Sequence, residues 1–255
     1  MLGFIAALFV GLSLGLIGGG GAILTMPLLV YLFHVDPMIA TAYSLFIVGV
    51  TSAVGAFMHH KDHPLNFKVA FQFGLVSMLV VIITRSFLVP HIPANIATIG
   101  GYTLTSGAFT MILFAVLMIW AGYAMVKKNR LHNEQVHPSK AKLIFYGALT
   151  GLITGLLGAG GGFLLIPALV LIVKLPMKEA VGTSLLLIAL NALVGFASDL
   201  THIHFDWPLL LGITIMALLG LWGGTKIGTR VDAVRLKSWF GYFLWVMAVF
   251  ILVKI

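Results

Sequence analysis

Two runs of glycine are the residues in this chain whose type and spacing most directly indicate chemistry. Glycine lacks a Cβ and adopts positive φ, so successive backbone N–H groups stay accessible and can converge on an anion. A glycine turn that opens a helix adds the positive end of the helix dipole. The alternative is close helix packing through small residues. We expect an anion site at the two runs, which comprise Gly18, Gly19, Gly20 and Gly21, and Gly158, Gly160, Gly161 and Gly162.

Uncharged polar side chains near the middle of two apolar segments are the second set of candidates. Hydroxyl and amide groups hydrogen-bond the oxygens of a sulfonate or carboxylate without holding the ligand by a fixed charge. In the alternative, they bond the preceding helical turn or a neighbouring helix. An amide at membrane depth is costly without partners, which makes Asn191 the strongest candidate. The set is Ser44, Thr51, Ser52, Thr183, Ser184 and Asn191.

Arg85 is the basic residue that falls within a predicted membrane segment. A guanidinium binds oxyanions through two parallel hydrogen bonds, and an ionisable group at membrane depth indicates function. Arg85 lies near the end of its segment, so its side chain also has the option of reaching the interface. We include it among the substrate-binding candidates. Acidic residues fall at segment ends or in loops, with Asp199 at an outer end, so no buried carboxylate relay is expected.

Composition excludes a water-soluble enzyme. The 255 residues are 60 % hydrophobic and 9 % charged, and the mean hydropathy is +1.11. The first 35 residues contain no Asp, Glu, Lys or Arg, and about 20 apolar residues are enough to cross a bilayer. We therefore expect an all-α polytopic membrane protein without catalytic residues.

Charge and histidine patterns argue against nucleic-acid and metal partners. The chain has 15 Lys+Arg and 7 Asp+Glu, and the basic residues lie mostly in short loops between apolar segments, as positive-inside topology requires. Cysteine is absent from the sequence, and two histidine groups fall on opposite sides of the predicted topology. We expect no nucleic acid, no metal and no cofactor. The histidine groups are His59, His60 and His63, and His202 and His204.

The chain is an internal duplication with an offset of 140 residues. The segments that start at Gly11 and Gly151 are identical at 11 of 20 positions. A polar stretch, 127–142, joins the two halves and is interpreted as a linker. We therefore divide the chain into a first transmembrane repeat, 1–126, a cytoplasmic linker, 127–142, and a second transmembrane repeat, 143–255.

Segment lengths predict how each repeat enters a bilayer. As straight helices, the uncharged segments 1–35 and 143–173 would be roughly 52 and 46 Å long, against a hydrocarbon core of ~30 Å. Both contain glycine near the middle. We expect each to fold back near the midplane as a re-entrant or discontinuous helix, with the two glycine bends together at the bilayer centre.

Charge counting supports this path. If the broken segments return to the side they entered from, 13 basic residues lie inside and one outside, whereas single crossings give 8 and 6. Three crossings in the first repeat then make the two repeats inverted, with both termini outside and the linker inside. The single crossings are expected at about 37–58, 69–89, 100–126, 178–199, 207–225 and 238–253.

The duplicated glycine pattern resembles that of the sulfite exporter TauE/SafE family, also called the 4-toluene sulfonate uptake permease family. The resemblance rests on the paired G-x-x-x-G-x-x-G-x-G-G-x-x-x-x-x-P stretches and on the Ala-x-x-x-Ser-Leu segments at 40–45 and 180–185. It covers essentially the whole chain. It implies a multi-pass transporter in the cytoplasmic (inner) membrane of a prokaryote that moves sulfite, sulfonates or related small organic anions.

These observations together predict a secondary transporter that exports a small organic or sulfur-containing anion by alternating access. A metal-cation permease and an anion channel are the alternatives. The ATP-binding motif Gly-x-x-x-x-Gly-Lys-Ser/Thr does not occur in the sequence. The expected partners are the anionic substrate and the lipid bilayer. The particular anion, the coupling ion and assembly into a homo-oligomer are left open.

Overall fold

The computed structural model describes residues 2–60, 65–93, 95–99, 102–126, 140–158, 162–173, 175–200, 203–228 and 233–254. These residues form ten α-helices, four short 3₁₀ or π turns and one β-hairpin. The helices are α1 (Leu2–Ile17), α2 (Thr25–Leu32), α3 (Pro37–His60), α4 (Phe67–Ile83), α5 (Ser106–Val126), α6 (Lys140–Leu157), α7 (Gly162–Pro167), α8 (Met177–Asp199), α9 (Trp207–Gly228) and α10 (Ala233–Lys254).

Within the described ranges, five helical stretches are long and apolar enough to cross a membrane. The sixth predicted crossing, 238–253, falls within α10, whose apolar part, Gly241–Val253, is shorter. The prediction of an all-α polytopic membrane protein is therefore confirmed. The five stretches are Pro37–His60, Val69–His91, Ser106–Ala124, Lys178–Asp199 and Trp207–Gly228.

The start of the third predicted crossing differs from expectation. The helix expected over 100–126 begins at Ser106, and an antiparallel hairpin of β1 (Asn95–Ile99) and β2 (Tyr102–Thr105) precedes it. β-Branched and aromatic residues favour strands, and the two glycines between the strands in sequence are a common hairpin connection. Hydropathy alone does not separate a short apolar strand from part of a helix.

The first glycine run bends the chain back on itself. α1 ends before Gly18, whose φ of 74° is a conformation that favours glycine. A 3₁₀ turn, Gly19–Leu24, and α2 form the return arm. The Phe33 ring after α2 then packs against Phe4 at a centroid distance of 5.4 Å. At 1.5 Å per α-helical and 2.0 Å per 3₁₀ residue, each arm is about 24 Å long. The segment is a re-entrant hairpin, as predicted.

The second glycine run also begins with a glycine of positive φ directly after a helix. α6 ends before Gly158, whose φ is 67°, and α7 and a π-helical turn, Ala168–Ile172, follow it. Of the predicted linker, 127–139 lies outside the described residues. α6 begins at Lys140, so the last three linker positions belong to this helix.

Packing contacts between the two halves occur in pairs related by the 140-residue offset. Gly18 packs against Val181, and Gly158 packs against Thr41. Such reciprocal pairs are what a two-fold relation between the halves requires. Further reciprocal pairs are Gly11 with Ala217 and Gly151 with Ser77, and Gly55 with Leu185 and Gly195 with Leu45.

Hydrogen bonds at the starts of α4 and α9 show the same reciprocal relation between the two halves. Asn66 and Asp206 cap these helices with their side chains. The backbone N–H of Asn66 donates to the Thr183 hydroxyl, and that of Asp206 donates to the Tyr43 hydroxyl. Each half therefore supplies the residue that holds a helix start of the other half.

The order of the contacts gives the relative directions of the central helices. α3 and α8 are antiparallel, because later positions of α3 meet earlier positions of α8. α4 and α8 are parallel. The pairs are Leu45–Gly195 and Gly55–Leu185 for α3 and α8, and Val81–Gly195 and Arg85–Asp199 for α4 and α8.

The two glycine bends do not meet, so the expectation of a shared midplane point is wrong. Gly158 packs against Thr41 near the start of α3, whereas Gly18 packs against Val181, which lies level with His59 near the end of α3. The 18 residues between these levels correspond to about 27 Å. The return arms meet instead, because α7 contacts the 3₁₀ turn of the first hairpin.

Arm length explains the difference. A segment of roughly 52 Å that folds in half has arms of about 26 Å, which is most of the ~30 Å core rather than half of it. Each hairpin therefore reaches almost to the far end of the helix bundle.

Gly11→Ala is expected to destabilise the fold, because a Cβ there would collide with the backbone carbonyl of Ala217 on α9. Overpacking of this kind costs about 1–3 kcal/mol. Gly223→Ala is the matched control, since nothing lies within 4 Å of its Cβ position and both glycines are inside helices. Thermal unfolding in detergent should show a lowered midpoint for Gly11→Ala alone. Equal midpoints would contradict the close approach of α1 and α9.

Candidate functional site

Seven buried polar atoms in the described part of the chain have no hydrogen-bond partner. An unpaired polar atom in an apolar interior costs about 1–3 kcal/mol, so a concentration of such atoms requires an explanation. Four are hydroxyl oxygens, two are guanidinium nitrogens and one is an amide oxygen. They belong to Thr25, Ser44, Ser52, Arg85, Thr154 and Asn191.

Two of these residues lie next to the bend at Gly158. Thr154 is one turn before it on α6, and the Gly158 N–H donates to the Thr154 carbonyl. Ser44 is one turn after Thr41, the residue of α3 against which Gly158 packs. The hydroxyls of Ser44 and Thr154 therefore both lie close to the second bend.

Arg85 lies at the same end of the bundle. Gly155 of α6 packs against Thr84, the residue before Arg85. Both Thr84 and Arg85 belong to a π-helical turn, Thr84–Leu88, and π turns are frequent at functional sites. We call Ser44, Arg85 and Thr154 the bend cluster.

The other three residues lie closer to the middle of the bundle. The Asn191 amide donates to the Ser77 hydroxyl at 2.6 Å, while its Oδ1 has no partner. Ser52 lies at about the same level, as the antiparallel register of α3 and α8 shows. Thr25 opens α2, which packs against α3. We call Thr25, Ser52 and Asn191 the central group.

Arg85 forms a buried ion pair. Its side chain is 1 % exposed, and Nη1 donates to Asp199 Oδ2 at 2.8 Å. Arg85 therefore does not reach the interface, and the expectation that no carboxylate is buried is wrong. The pair forms because α4 and α8 are parallel: Asp199 lies eight residues beyond Asn191 on α8, and Arg85 lies eight residues beyond Ser77, in the π-helical turn that continues α4. Hydropathy contains no information about this register.

The hydroxyl next to the first bend is paired, unlike its equivalent at the second bend. Ser184, the equivalent of Ser44, donates its hydroxyl to the Val181 carbonyl at 2.8 Å. The unpaired donors near the second bend therefore do not follow from the duplication. The counterparts 140 residues away are Leu14 for Thr154, Val181 for Thr41, Thr225 for Arg85 and His59 for Asp199.

Three of the predicted polar residues serve local structure. Thr51 and Ser184 donate to carbonyls of the preceding helical turn. Thr183 accepts from the N–H at the start of α4. Of the predicted polar residues, Ser44, Ser52, Arg85 and Asn191 retain unpaired atoms.

The glycine runs have separate locations. Gly18 and Gly158 form the bends, Gly19, Gly20 and Gly21 belong to the 3₁₀ turn, and Gly162 opens α7. Gly160 and Gly161 lie outside the described residues. Because the bends are about 27 Å apart along the bundle, at 1.5 Å per helical residue, one small anion does not contact both.

Sequence reasoning missed Thr25, Thr154, Ser77 and Asp199. A usable signal existed for Thr25 and Thr154, since each is a hydroxyl within an uncharged apolar run, the criterion that selected Ser44. Ser77 and Asp199 lack such a signal because their roles depend on which helices are neighbours.

Within the described ranges, no three His, Cys, Asp or Glu side chains come together as metal ligands. His59 Nε2 lies 2.9 Å from the carbonyl of Lys178. The predicted histidine groups also include His63 and His202, which lie outside the described residues.

Long apolar helices, two re-entrant hairpins and a partly polar interior define a multi-pass membrane protein of the transporter class, in which sites are built where discontinuous helices meet inside the protein. The family described as "Sulfite exporter TauE/SafE" matches residues 3–251. The chain belongs to this family, which confirms the resemblance seen in the glycine pattern.

Proteins similar to this chain are also named as membrane transporters. A "Probable membrane transporter protein" of Xylella fastidiosa (strain Temecula1) is 30 % identical over 251 residues, covering 95 % of this chain and 91 % of the relative. A similarly named protein of Methanocaldococcus jannaschii is 28 % identical over 267 residues, covering 97 % and 93 %. No solved structure matches the chain. The protein is a membrane transporter of the TauE/SafE type.

Thr154→Val is expected to stabilise the ligand-free protein, because a methyl group replaces an unpaired buried hydroxyl whose burial costs about 1–3 kcal/mol. Thr150→Val is the matched control, one turn earlier on α6, where the hydroxyl donates to the carbonyls of Tyr146 and Gly147. Thermal unfolding in detergent should give a higher midpoint for Thr154→Val than for the wild type or Thr150→Val. A lowered midpoint would show that the Thr154 hydroxyl has a partner.

Proposed function

We propose that this protein is a secondary transporter of a small oxyanion such as sulfite, a sulfonate or a small carboxylate, with the bend cluster and the central group as its binding path. One observation carries the proposal: six of the seven unpaired buried atoms are hydrogen-bond donors. An oxyanion offers several acceptor oxygens and therefore complements this interior.

The charge balance of the path suits transport. Arg85 attracts an anion, and Asp199 offsets the charge of Arg85 when no anion is bound, so the empty site carries no full net positive charge. The hydroxyls of Ser44, Ser52, Thr25 and Thr154 add neutral donors. A carrier must bind its substrate and also release it, and neutral donors favour that compromise. The family description, which names sulfite, supports the substrate class.

Alternating access is proposed with the two halves inverted across the membrane. The helix directions support inversion. If each broken segment returns to its own side, α3 must be antiparallel and α4 parallel to α8, as is found. If each broken segment crossed once, both relations would be reversed. Rocking of one half against the other then exposes the second bend to one side and the first bend to the other.

The same proposal places the protein in the cytoplasmic membrane of a prokaryote, with the linker inside and both termini outside. The distribution of basic residues, 13 inside and one outside, supports this orientation. The ATP-binding P-loop motif does not occur in the sequence. In this proposal an ion gradient, the membrane potential or a partner supplies the energy for transport, including export.

Flux into proteoliposomes tests the proposal. The wild type is expected to take up labelled sulfite or sulfoacetate with saturation. Ser44→Ala should raise KM about 10-fold or more, because a hydrogen bond to a charged ligand contributes about 1.5–3 kcal/mol. Ser13→Ala is the matched control, since the Ser13 hydroxyl donates to the Val10 carbonyl on α1. It should leave KM unchanged.

Other fluxes in the same vesicles identify the competing classes. Chloride flux that does not saturate and ignores Ser44→Ala would identify an anion channel. Nickel flux would identify a metal-cation permease. Taurine, a zwitterion, tests whether a net negative charge is needed. Either of the first two results, without saturable oxyanion flux, contradicts the proposal.

A further inference from the structure

Arg85 presents one complete hydrogen-bonding edge that no protein group of the described chain occupies. A guanidinium donates in a fixed fork, and Nε and Nη2 together form one of its two-donor edges. Asp199 accepts from Nη1, while Nε and Nη2 are buried and have no partner. Two parallel donors on one edge match two oxygens of a sulfonate or carboxylate.

The surroundings of this edge also lack partners. The hydroxyls of Ser44 and Thr154, the other members of the bend cluster, are buried and unpaired at the same end of the bundle. Three side chains from three helices therefore offer unused donors around the second bend.

A purely structural role does not explain the ion pair. A buried ion pair is stable when further hydrogen bonds satisfy its remaining donors, and Arg85 leaves two donors unpaired. The positions related to Arg85 and Asp199 by the 140-residue offset have other roles. The Thr225 hydroxyl donates to the Trp222 carbonyl, and His59 Nε2 meets the Lys178 carbonyl. The pair is therefore a feature of the second bend and not of the shared architecture.

We propose that Arg85 exchanges Asp199 for the transported anion, and that Asp199 binds a proton when it is released. This inference rests on the proposed function. In the exchange, the Arg85–Asp199 hydrogen bond breaks and the Nε–Nη2 edge binds two oxygens of the anion. Asp199 takes one proton from water. A neutral ion pair, one anion and one proton become a neutral Arg85–anion pair and a neutral carboxylic acid, so charge balances.

The proton follows from the burial of Asp199. The side chain is 6 % exposed, and separating an ionised carboxylate from Arg85 in such a place costs more free energy than separating a neutral carboxylic acid. Protonation removes that cost. One proton therefore binds to Asp199 for each anion that binds to Arg85.

Asp199 is the group placed to take this proton. The other acidic residues and histidines described at this end of the bundle are exposed and lie in the connections between helices: His34, Asp36, His91, His204 and Asp206. Tyr43 of α3 is buried at this end, and its hydroxyl accepts from the Asp206 N–H. The charged residues and histidines of the helices packed on Asp199 lie at the opposite helix ends, apart from Arg85. They are His59 and His60 of α3, Lys68 of α4, Lys140 and Lys142 of α6, and Lys178 and Glu179 of α8.

The consequence is electroneutral transport. One monovalent anion moves with one proton, so a pH gradient drives net flux and the membrane potential does not. An anion that stays ionised at every pH used is the cleanest probe, and methanesulfonate has this property.

Proteoliposomes that contain the full chain and an internal pH dye measure both species. For the wild type at pH 6 outside and pH 8 inside, labelled methanesulfonate should accumulate toward about 100-fold, because each pH unit corresponds to a factor of ten. The lumen should acidify with uptake, and a potassium diffusion potential should leave the uptake unchanged.

Asp199→Asn replaces the carboxylate with a group that resembles its protonated form. We expect accumulation and acidification to be lost, while exchange of labelled for unlabelled methanesulfonate at equal pH continues. Arg85→Gln should lose both activities. Asp206→Asn is the matched control, because it alters an exposed carboxylate at the same end and asparagine also caps a helix. It should retain proton-linked uptake.

The outcomes separate the two proposals. A wild type that transports methanesulfonate, sulfite or sulfoacetate without protons overturns the ion-pair inference alone. So does proton-linked accumulation by Asp199→Asn. A wild type that transports none of the three overturns the proposed function and this inference with it. If Asp199→Asn does not fold, the double variant Arg85→Gln/Asp199→Asn decides. Proton-coupled transport at the wild-type level by the double variant would show that the ion pair has a structural role alone. A folded double variant that does not exchange labelled for unlabelled methanesulfonate supports the proposal.

Discussion

Where α1 lies along α9 and α6 lies along α4, backbone meets backbone because glycine leaves no side chain between the helices. Gly11 faces the Ala217 carbonyl, and Gly220 faces that of Leu8. In lipid, apolar side chains gain little from contacting one another, so close van der Waals packing holds helices together. This contact sets the position of each hairpin against its neighbour. The depth of the bends, and thus the location of the bend cluster, depends on it.

Sequence analysis predicted correctly the features that depend on residue types and spacing along the chain. The break at Gly18, the helices that span the membrane and the 140-residue offset all follow from composition and spacing. It did not predict features that depend on which helices pack against each other. The Arg85–Asp199 pair depends on a parallel α4 and α8, and the separation of the bends depends on how far a return arm extends. Of the site candidates, Asn191 and Ser44 keep unpaired atoms, whereas Thr51 bonds its own helix.

The duplication explains the scaffold but not the chemistry. Both bends use a glycine with positive φ against the first crossing helix of the opposite half, α8 for Gly18 and α3 for Gly158. Around the second bend, however, Thr154 and Arg85 replace the types found at Leu14 and Thr225. Polar groups without partners reduce stability. In the described part of the chain, the hydroxyls of Ser44 and Thr154 near the second bend are unpaired, whereas that of Ser184 near the first bend is paired.

The exchanged helix caps have a consequence for how this chain is made. At the start of α4, the N–H of Asn66 donates to the Thr183 hydroxyl, and the Tyr43 hydroxyl accepts from the N–H of Asp206. Thr183 and Asp206 both belong to the second half of the chain. Synthesis delivers the first half to the bilayer before either partner exists. Its final packing must therefore follow translation of most of the polypeptide, and a chain that stops early exposes unmet polar groups that quality control can recognise.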